Sequence, residues 1–243
     1  VTVTQGKLEG LSLSSVDFNG SDEYIEGANN TGISGDTTFT QSAWFRANTL
    51  GDYDTILYFG GGGTLNIAGL VVKANGAVGL STGASNNAHT AASAVSTGQW
   101  HHIVITKSAG ALNTTTSIYL DGVSQSLSSP SSGTPSFVDS QPRIGNWVGQ
   151  PYWFDGRIRD VRIYDYALSA DQAASLYSGS YNVTPLHWWK LDEGYTTDVC
   201  NVAGAFEDYG TGTDTDGEGA NLDADSCVNG TLDLDSTLTI AAN

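Results

Sequence analysis

Short runs of alternating or β-branched residues recur along this chain, and they limit its fold more than any other feature. The runs cover residues 1–4, 11–18, 39–45, 55–59, 70–73, 77–80, 101–107, 117–120 and 157–164. Segments of this length and pattern are typical of strands, and turn residues separate them at short intervals. The pattern predicts an all-β chain folded as an antiparallel sandwich.

Local signals place two turns and one helix. Asp121-Gly122 and Asn75-Gly76 each lie between two predicted strands, and both dipeptides tolerate the positive φ angles of a two-residue hairpin turn. Ser169 begins a capping box and Gly179 can end the helix that follows it. We therefore expect two hairpins and one short helix near residues 169–178.

The charge balance limits the possible partners. The chain has 26 acidic and 9 basic residues and a formal net charge of −17. Nucleic-acid binding depends on Lys and Arg at phosphates, so the sequence argues against nucleic acid as a partner. Carboxylates suit hard cations such as calcium, although excess charge can also serve only to keep a surface soluble. No apolar run reaches the roughly 18 residues that span a bilayer, so we expect no membrane insertion.

The start of the chain and its two cysteines suggest where the protein works. The chain begins at Val1 and contains no Met, which indicates a processed product or a piece of a longer protein. Cys200 and Cys227 have no Cys or His neighbours at the spacing of a zinc site, so we expect a disulfide between them. On the loop-entropy model a disulfide would add roughly 3–4 kcal/mol of stability, and it would point to an oxidising compartment. A reduced pair is the alternative.

The order of the segments resembles the laminin-G-like family of concanavalin A-like jelly-roll domains. The segments that carry the resemblance are VDFNGSDEYI at residues 16–25, FTQSAWF at 39–45, GQWHHIV at 98–104, IYLDG at 118–122, RIG at 143–145, FDGRIRDVRIY at 154–164 and ALS at 167–169. No single segment is decisive, but together and in this order they point to the fold. The resemblance implies a jelly roll of two antiparallel sheets over residues 1–180.

Residues 181–243 resemble, out of order, the segment that opens such a domain. The similar stretches are LHWWKLDEG at residues 186–194 and NGTL at residues 229–232. Either this C-terminal segment completes the same sandwich, or it begins another repeat. We favour completion, because a lone opening strand would expose Trp188 and Trp189 beside an unpaired edge.

The resemblance also implies a structural calcium ion between the early turn and the last long strand. It nominates Asp22, Asp160 and the carbonyl of Gly20, with Asn19 nearby. These groups offer the oxygen ligands that calcium takes. The alternative is that Asp160 pairs with a neighbouring arginine and that Asp22 caps a turn.

A second acidic stretch lies between the two cysteines, from Asp214 to Glu218. It resembles an acidic calcium loop, but Gly212 occupies the position of the first ligand. We expect a solvated acidic loop closed by the disulfide, with a second calcium site as the alternative.

Trp147, Tyr152 and Trp153 cluster around Pro151 in a predicted loop. Aromatic rings flanked by polar groups can bind sugars, so we predict a ligand site here. The alternative is that these rings cover the end of the core or an interface with a neighbour.

The sequence gives little support to an enzyme. His101 and His102 are adjacent, and neighbours on a strand point to opposite faces, so they cannot readily hold one metal ion together. Retaining glucanases of this fold need two closely placed carboxylates, and the closest glutamates in sequence, Glu23 and Glu26, would lie on opposite faces of a strand.

Taken together, these features predict a non-catalytic, calcium-stabilised recognition or adhesion module within a larger extracellular or surface-displayed protein. Its expected partner is a glycan or a cell-surface protein. A structural subunit of a fibre, surface layer or virus particle, which would contact neighbouring copies, is the alternative, and a glycoside hydrolase is a distant third. An assembly subunit should bury the loop around Trp147, whereas a lectin should leave it open.

Overall fold

The computed structural model describes residues 15–83, 87–180, 183–192, 205–213 and 215–222. Two antiparallel sheets dominate this part of the chain, as predicted for a jelly-roll sandwich. The elements are β1 (Val16–Asn19), β2 (Tyr24–Gly27), β3 (Phe39–Ala47), β4 (Asp54–Gly60), β5 (Ile67–Val72), β6 (Val78–Ser81), β7 (Asn87–His89), β8 (His101–Lys107), α1 (Leu112–Thr115), β9 (Thr116–Leu120), β10 (Val123–Gln125), β11 (Arg143–Ile144), β12 (Asp155–Tyr164), α2 (Ala170–Tyr177), β13 (His187–Trp189) and β14 (Gly217–Ala220).

Each sheet contains seven of the described strands. Sheet A has the order β1-β12-β3-β8-β9-β10, and β13 also pairs with β12. Sheet B has the order β14-β2-β11-β4-β5-β6-β7. Because side chains alternate along a strand, every strand turns one set of residues towards the other sheet and one set outwards.

The main core lies between the two sheets. Phe45 of sheet A and Phe59 of sheet B have no exposed surface, and neither has Phe39. The rings of Phe39 and Phe137 meet edge to face with centroids 5.0 Å apart. This geometry suits the quadrupoles of two aromatic rings.

A β-bulge interrupts β12. Asp160 has a φ of +52°, and the pairing register with β3 shifts between Arg159 and Arg162. The extra residue resets the alternation, so that Ile158 and Val161 are both fully buried. On the opposite edge of β12, β1 pairs on one side of this bulge and β13 on the other.

The described part of the C-terminal segment contributes one strand to each sheet. β13 pairs with β12, and β14 pairs with β2. Trp189 is only 1% exposed, and its Nε1 donates to the carbonyl of Thr215 at 3.1 Å. His187 lies between the carboxylate of Asp208, at 2.6 Å from Nδ1, and the carbonyl of Thr31, at 2.9 Å from Nε2.

The helix and both hairpins form, but only the Asp121-Gly122 hairpin has the predicted two-residue turn. Ser169 caps α2 in a complete capping box with Gln172, and the helix packs on the outer face of sheet A. Asp121 and Gly122 have φ angles of +51° and +77°, as a turn with two positive φ angles requires. The second hairpin has a longer turn, in which only Gly76 has a positive φ, of +75°. Its ends are joined by a 2.8 Å hydrogen bond from the amide of Lys73 to the carbonyl of Ala77. None of the helices in the described part of the chain is long and apolar enough to cross a membrane.

Some expectations were wrong. α1 is a second helix that the sequence did not predict. Gly217–Ala220, expected within a solvated acidic loop, forms β14, because β2 offers a free edge beside it. Asp214 and both cysteines, and therefore the predicted disulfide of Cys200 with Cys227, lie outside the described residues.

Candidate functional site

A loop crosses the outer face of sheet B. It comprises residues 145–154 between β11 and β12 and is termed the aromatic loop. Its residue Trp147 packs against Tyr58 and Val71 of this face, with the Trp147 and Tyr58 ring centroids 5.4 Å apart. A Cβ atom at Gly69 would lie 3.1 Å from Cζ3 of Trp147. The glycine therefore lets the indole approach the sheet closely.

The rings continue from Trp147 towards the β7 edge of the sheet. Tyr152 meets Trp147 at 5.6 Å and Tyr53 at 5.4 Å between ring centroids. Tyr53 has a φ of +71°, a strained conformation for a bulky residue. The Nζ atom of Lys73 lies 4.7 Å from the centre of the Tyr53 ring. Tyr152 and Tyr53 thus form a half-buried aromatic surface beside β7.

Trp153 lies near the other edge of sheet B. Its ring centroid is 6.2 Å from that of Tyr24 on β2. The guanidinium of Arg143 lies 4.0 Å from the Tyr24 ring centre and bonds to Glu26 at 2.9 Å. The structure therefore brings Trp147 and Tyr152 into contact but directs Trp153 to a different group of residues.

The three predicted ligand-binding rings differ in exposure. Trp147 is only 6% exposed, whereas Tyr152 and Trp153 are half-buried. Val148, next in the loop, is 44% exposed. Trp147 is thus covered within its own chain, and Tyr152 and Trp153 are the rings that a ligand can reach.

Three polar side chains, termed the polar corner, lie next to this aromatic surface: Ser81, Asn87 and His89. Ser81 pairs directly with Asn87 across β6 and β7, and the side chain of Asn87 donates to the hydroxyl of Tyr53 at 3.3 Å. The Ser81 Oγ, Asn87 Oδ1 and His89 Nε2 atoms are buried and have no hydrogen-bond partner among the described residues. A buried polar atom without a partner costs about 1–3 kcal/mol, so an ordered water or a polar group of a ligand would be stabilised at this cluster.

Burial also changes the ionisation of this face. Desolvation, helped by the charge of Lys73, lowers the pKa of His89 to about 4. Desolvation raises the pKa of Tyr58, and the nearby Arg143 only partly opposes this. His89 is therefore neutral at neutral pH, and its ring nitrogens act as ordinary hydrogen-bonding groups.

The polar corner was not predicted from the sequence. The signal present was the alternation of Asn87 and His89 around the apolar Ala88, which is typical of a strand. A strand of only three residues cannot be distinguished from a loop by its sequence pattern. The contact of this strand with Tyr53 depends on long-range pairing that one sequence does not encode locally.

The predicted calcium ligands do not come together. Asn19 pairs with Asp155 at one end of β1 and β12, and Asp160 lies five positions further along, about 16 Å at ~3.3 Å per residue. Asp22 is near Asn19, whose side-chain amide donates to it at 3.0 Å, and Gly20 lies in the same turn. Among the described residues, no three His, Cys, Asp or Glu side chains gather as a metal ion would need.

Asp160 is engaged in other contacts. Its carboxylate lies 2.7 Å from a guanidinium nitrogen of Arg162 and accepts from Nε1 of Trp188 at 2.6 Å. Arg162 itself is 1% exposed, so Asp160 compensates a buried charge. These four residues do not fit one calcium ion, because Asp160 is held at the bulge, far from the Asn19–Asp22 turn.

The adjacent histidines take separate structural roles. His101 hydrogen-bonds through Nδ1 to Asp121 at 2.9 Å. His102, 1% exposed, packs on the other face of the strand against Trp44, with ring centroids 5.0 Å apart. Burial and the charge of Arg162 lower the pKa of His102 to about 3. The two rings point to opposite faces, as expected.

An open polar cleft of about 440 Å³ lies apart from the aromatic loop. Its lining residues are Ala28, Asn29, Asn30, Gly32, Asp139, Gln141 and Thr213. Asp139 Oδ1 already accepts from the amide of Gly32 and the hydroxyl of Thr31. The cleft has no aromatic lining, so the outer face of sheet B is the stronger candidate for a ligand site.

Comparison with known families and structures adds to this picture. A family model described as the concanavalin A-like lectin/glucanases superfamily matches residues 19–174. No curated protein sequence matches the chain significantly.

Several solved structures share the fold. A protein of Bacteroides ovatus, described as a candidate carbohydrate-binding protein, superposes with a TM-score of 0.62 at 22% identity, over 84% of this chain and 57% of that one. Domain 4 of the arabinanase AbnA of Geobacillus stearothermophilus, in complex with arabinotriose, gives 0.50 at 23% identity, over 67% and 76%. The sialidase module CBM40 of Ruminococcus gnavus, bound to sialyllactose, gives 0.51 at 13% identity, over 68% and 96%. The chain thus spans little more than half of the Bacteroides protein.

Proposed function

Because the chain belongs to the concanavalin A-like lectin/glucanase superfamily, we propose that it is a non-catalytic module that binds glycan on the outer face of sheet B. The observation that carries this proposal is the aromatic surface of Tyr152 and Tyr53 beside the polar corner. Sugar sites combine apolar rings with a few well-placed polar groups, and a sugar presents both C–H faces and hydroxyls. The partnerless atoms of Ser81, Asn87 and His89 suit such hydroxyls.

The glutamates give no support to hydrolysis. Glu23 is 1% exposed and accepts the amide of Asn19 at 2.6 Å, and Glu26 is paired with Arg143 at 2.9 Å. Glu23, just before β2, is buried, whereas Glu26, on β2, is partly exposed, so the two side chains lie on opposite faces, as their odd spacing predicts. A glycosidase needs two carboxyl groups facing one bond across about 5–10 Å. The placement of these two glutamates therefore favours recognition over cleavage.

The ligands of related folds support a glycan as the partner class. The arabinanase domain was solved with arabinotriose and the sialidase module with sialyllactose. We further propose that the module works outside the cytoplasm, in a surface or secreted protein larger than this chain. Calcium stabilisation stays a prediction, which a comparison of the melting temperature in calcium and in EGTA tests.

An assembly subunit is the second candidate, and Val148 is the feature that favours it. This residue is 44% exposed at the tip of the aromatic loop, where a neighbouring copy could cover it. Trp147, however, is already covered within its own chain, so it needs no neighbour. Glycan recognition accounts for the polar corner, and assembly does not.

The test is a glycan array probed with the full chain, followed by calorimetry with the best ligand. We expect Tyr152→Ala and Asn87→Ala to weaken binding about tenfold or more, since one stacking ring or one bonded polar group contributes about 1 kcal/mol or more. Tyr177→Ala and Ser117→Ala make matched changes on the sheet A side and should leave affinity unchanged. The site would be rejected if the two control variants lost as much affinity as the two site variants, or if no glycan of the array bound.

A further inference from the structure

The chemistry of the polar corner restricts which glycans the proposed site can take. The side-chain nitrogen of Asn87 is used by the hydroxyl of Tyr53, so the atom left over is the acceptor Oδ1. The free Oγ of Ser81 can donate or accept, and so can the neutral ring of His89, according to its tautomer. At least one position therefore needs a donor from the ligand. A sugar hydroxyl supplies a donor and an acceptor and therefore suits this corner, whereas the carboxylate or sulfate group of an acidic sugar only accepts and gains no bond at Oδ1 of Asn87.

The cations near the site are already engaged. Lys73 lies over the ring of Tyr53 at 4.7 Å from its centre. Arg143 bonds to Glu26 at 2.9 Å and covers Tyr24 at 4.0 Å. An acidic sugar would have to compete with these contacts for a positive charge.

Carboxylates surround the same face. Glu218 of β14 lies directly opposite Glu26 of β2, so two acidic residues stand at the edge beside Arg143. Asp52 and Asp54 flank Tyr53 in the chain, and desolvation raises the pKa of Asp54 to about 6. The formal net charge of the whole chain is −17. A bound anion would therefore meet a negative potential at close range and at long range.

We infer that the outer face of sheet B selects neutral, hydroxyl-rich glycans and discriminates against sialylated, uronic or sulfated ones. This inference rests on the proposed function, since it names the ligand class of that same site. It differs from what the fold alone would suggest, because one module of this fold was solved with a sialylated sugar. The discrimination follows from the engaged cations and the surrounding carboxylates, and the acceptor Oδ1 of Asn87 adds no partner for an anion.

The experiment compares matched neutral and acidic ligands on the full chain. Lactose is paired with 3′-sialyllactose, arabinotriose with a uronic acid trimer, and the best neutral glycan of the array with its sialylated form. We expect the acidic partner of the pair that binds to be at least about tenfold weaker. Binding of the neutral ligand should change little with added salt, because no net charge is neutralised on binding.

Val148→Asp is the diagnostic variant. The change adds a negative charge at an exposed position of the aromatic loop that is given no contact with the ligand, so a neutral glycan should retain its affinity within about threefold. A ligand held through its own negative charge would lose about tenfold or more. Ser117→Asp adds the same charge on the opposite sheet and serves as the control.

The possible results separate two kinds of failure. Tighter binding of the acidic member of a pair, weakened by salt and by Val148→Asp, would overturn the selectivity while leaving glycan binding intact. Binding of no glycan of either kind would reject the proposed function and the selectivity with it. Binding of neutral glycan that Tyr152→Ala leaves unchanged would place the site elsewhere and overturn both.

Discussion

Acidification to about pH 5 should destabilise this protein, because two histidines are buried in the neutral form. Burial lowers the pKa of His89 to about 4 and that of His102 to about 3, from the ordinary value of 6.5. A basic group whose pKa is lowered by folding binds its proton more weakly in the folded state. The stability it contributes is therefore present above pH 6.5 and is lost as the pH falls towards the folded value.

The size of the effect follows from these pKa values. At about pH 5 each histidine is about 1.5 pH units below its unfolded pKa, which corresponds to about 2 kcal/mol at 1.36 kcal/mol per unit. Asp54 acts in the opposite direction, because its raised pKa of about 6 lets the folded state take up a proton first. Protonation of Asp54 in the folded state therefore adds about 1 kcal/mol to the free energy of unfolding at about pH 5. The net loss between about pH 7 and pH 5 should therefore be about 2–3 kcal/mol.

Urea unfolding followed by tryptophan fluorescence measures this directly at the two pH values. His89→Gln and His102→Gln should each reduce the pH-dependent loss by about 2 kcal/mol, whatever they do to stability at neutral pH. His89→Gln alone keeps the test available if the His102 variant does not fold. An unchanged free energy of unfolding at pH 5, or the same loss in both variants as in the unmodified chain, would refute the assignment of these two rings as neutral.

Three further predictions concern the scaffold. Ser169→Ala should cost about 1 kcal/mol in urea unfolding, because it removes the capping box of α2, while Ser180→Ala just beyond the helix should cost little. Trp189→Ala should cost about 3–5 kcal/mol, because the ring is 1% exposed and joins the C-terminal segment to the core; a loss under about 1 kcal/mol would contradict that packing. Asp22 and Asp160 should not act together on any gain in melting temperature that calcium gives relative to EGTA, because the structure separates them. If Asp22→Ala and Asp160→Asn each abolished that gain to the same extent, the result would contradict this separation.

The sequence predicted the parts of the fold that depend on residues close together in the chain. The Ser169 capping box and the Asp121-Gly122 turn are decided by neighbours within a few residues, and both formed as expected. The bulge at Asp160 was not predicted, because the run from residue 157 to 164 has the composition of one regular strand. The position of the bulge depends on the C-terminal segment. The carbonyl of Lys190, directly after β13, accepts a hydrogen bond from the amide of Asp160.

The candidate site was predictable only in part for the same reason. Trp147 and Tyr152 stood out as rings near a proline, and the structure places them against sheet B. Their polar neighbours come from β6 and β7, more than fifty residues earlier in the chain, and only the sheet order brings them together. For the predicted calcium ligands, the resemblance suggested that Asp22 and Asp160 lie close together. In the structure Asp160 lies at the bulge and pairs with Arg162 instead.

The most direct test of glycan recognition on the outer face of sheet B is an NMR titration that follows the indole N–H signals of the six tryptophans. Each signal is assigned by a single Trp→Phe variant, and the titrant is the best neutral glycan of the array. We predict that the signal of Trp147, whose ring contacts that of Tyr152, shifts along a saturation curve, while the signals of Trp44 and Trp100, on the sheet A side, stay in place. Shifts confined to Trp44 and Trp100, or no shift of any indole at saturating glycan, would contradict a glycan site on this face.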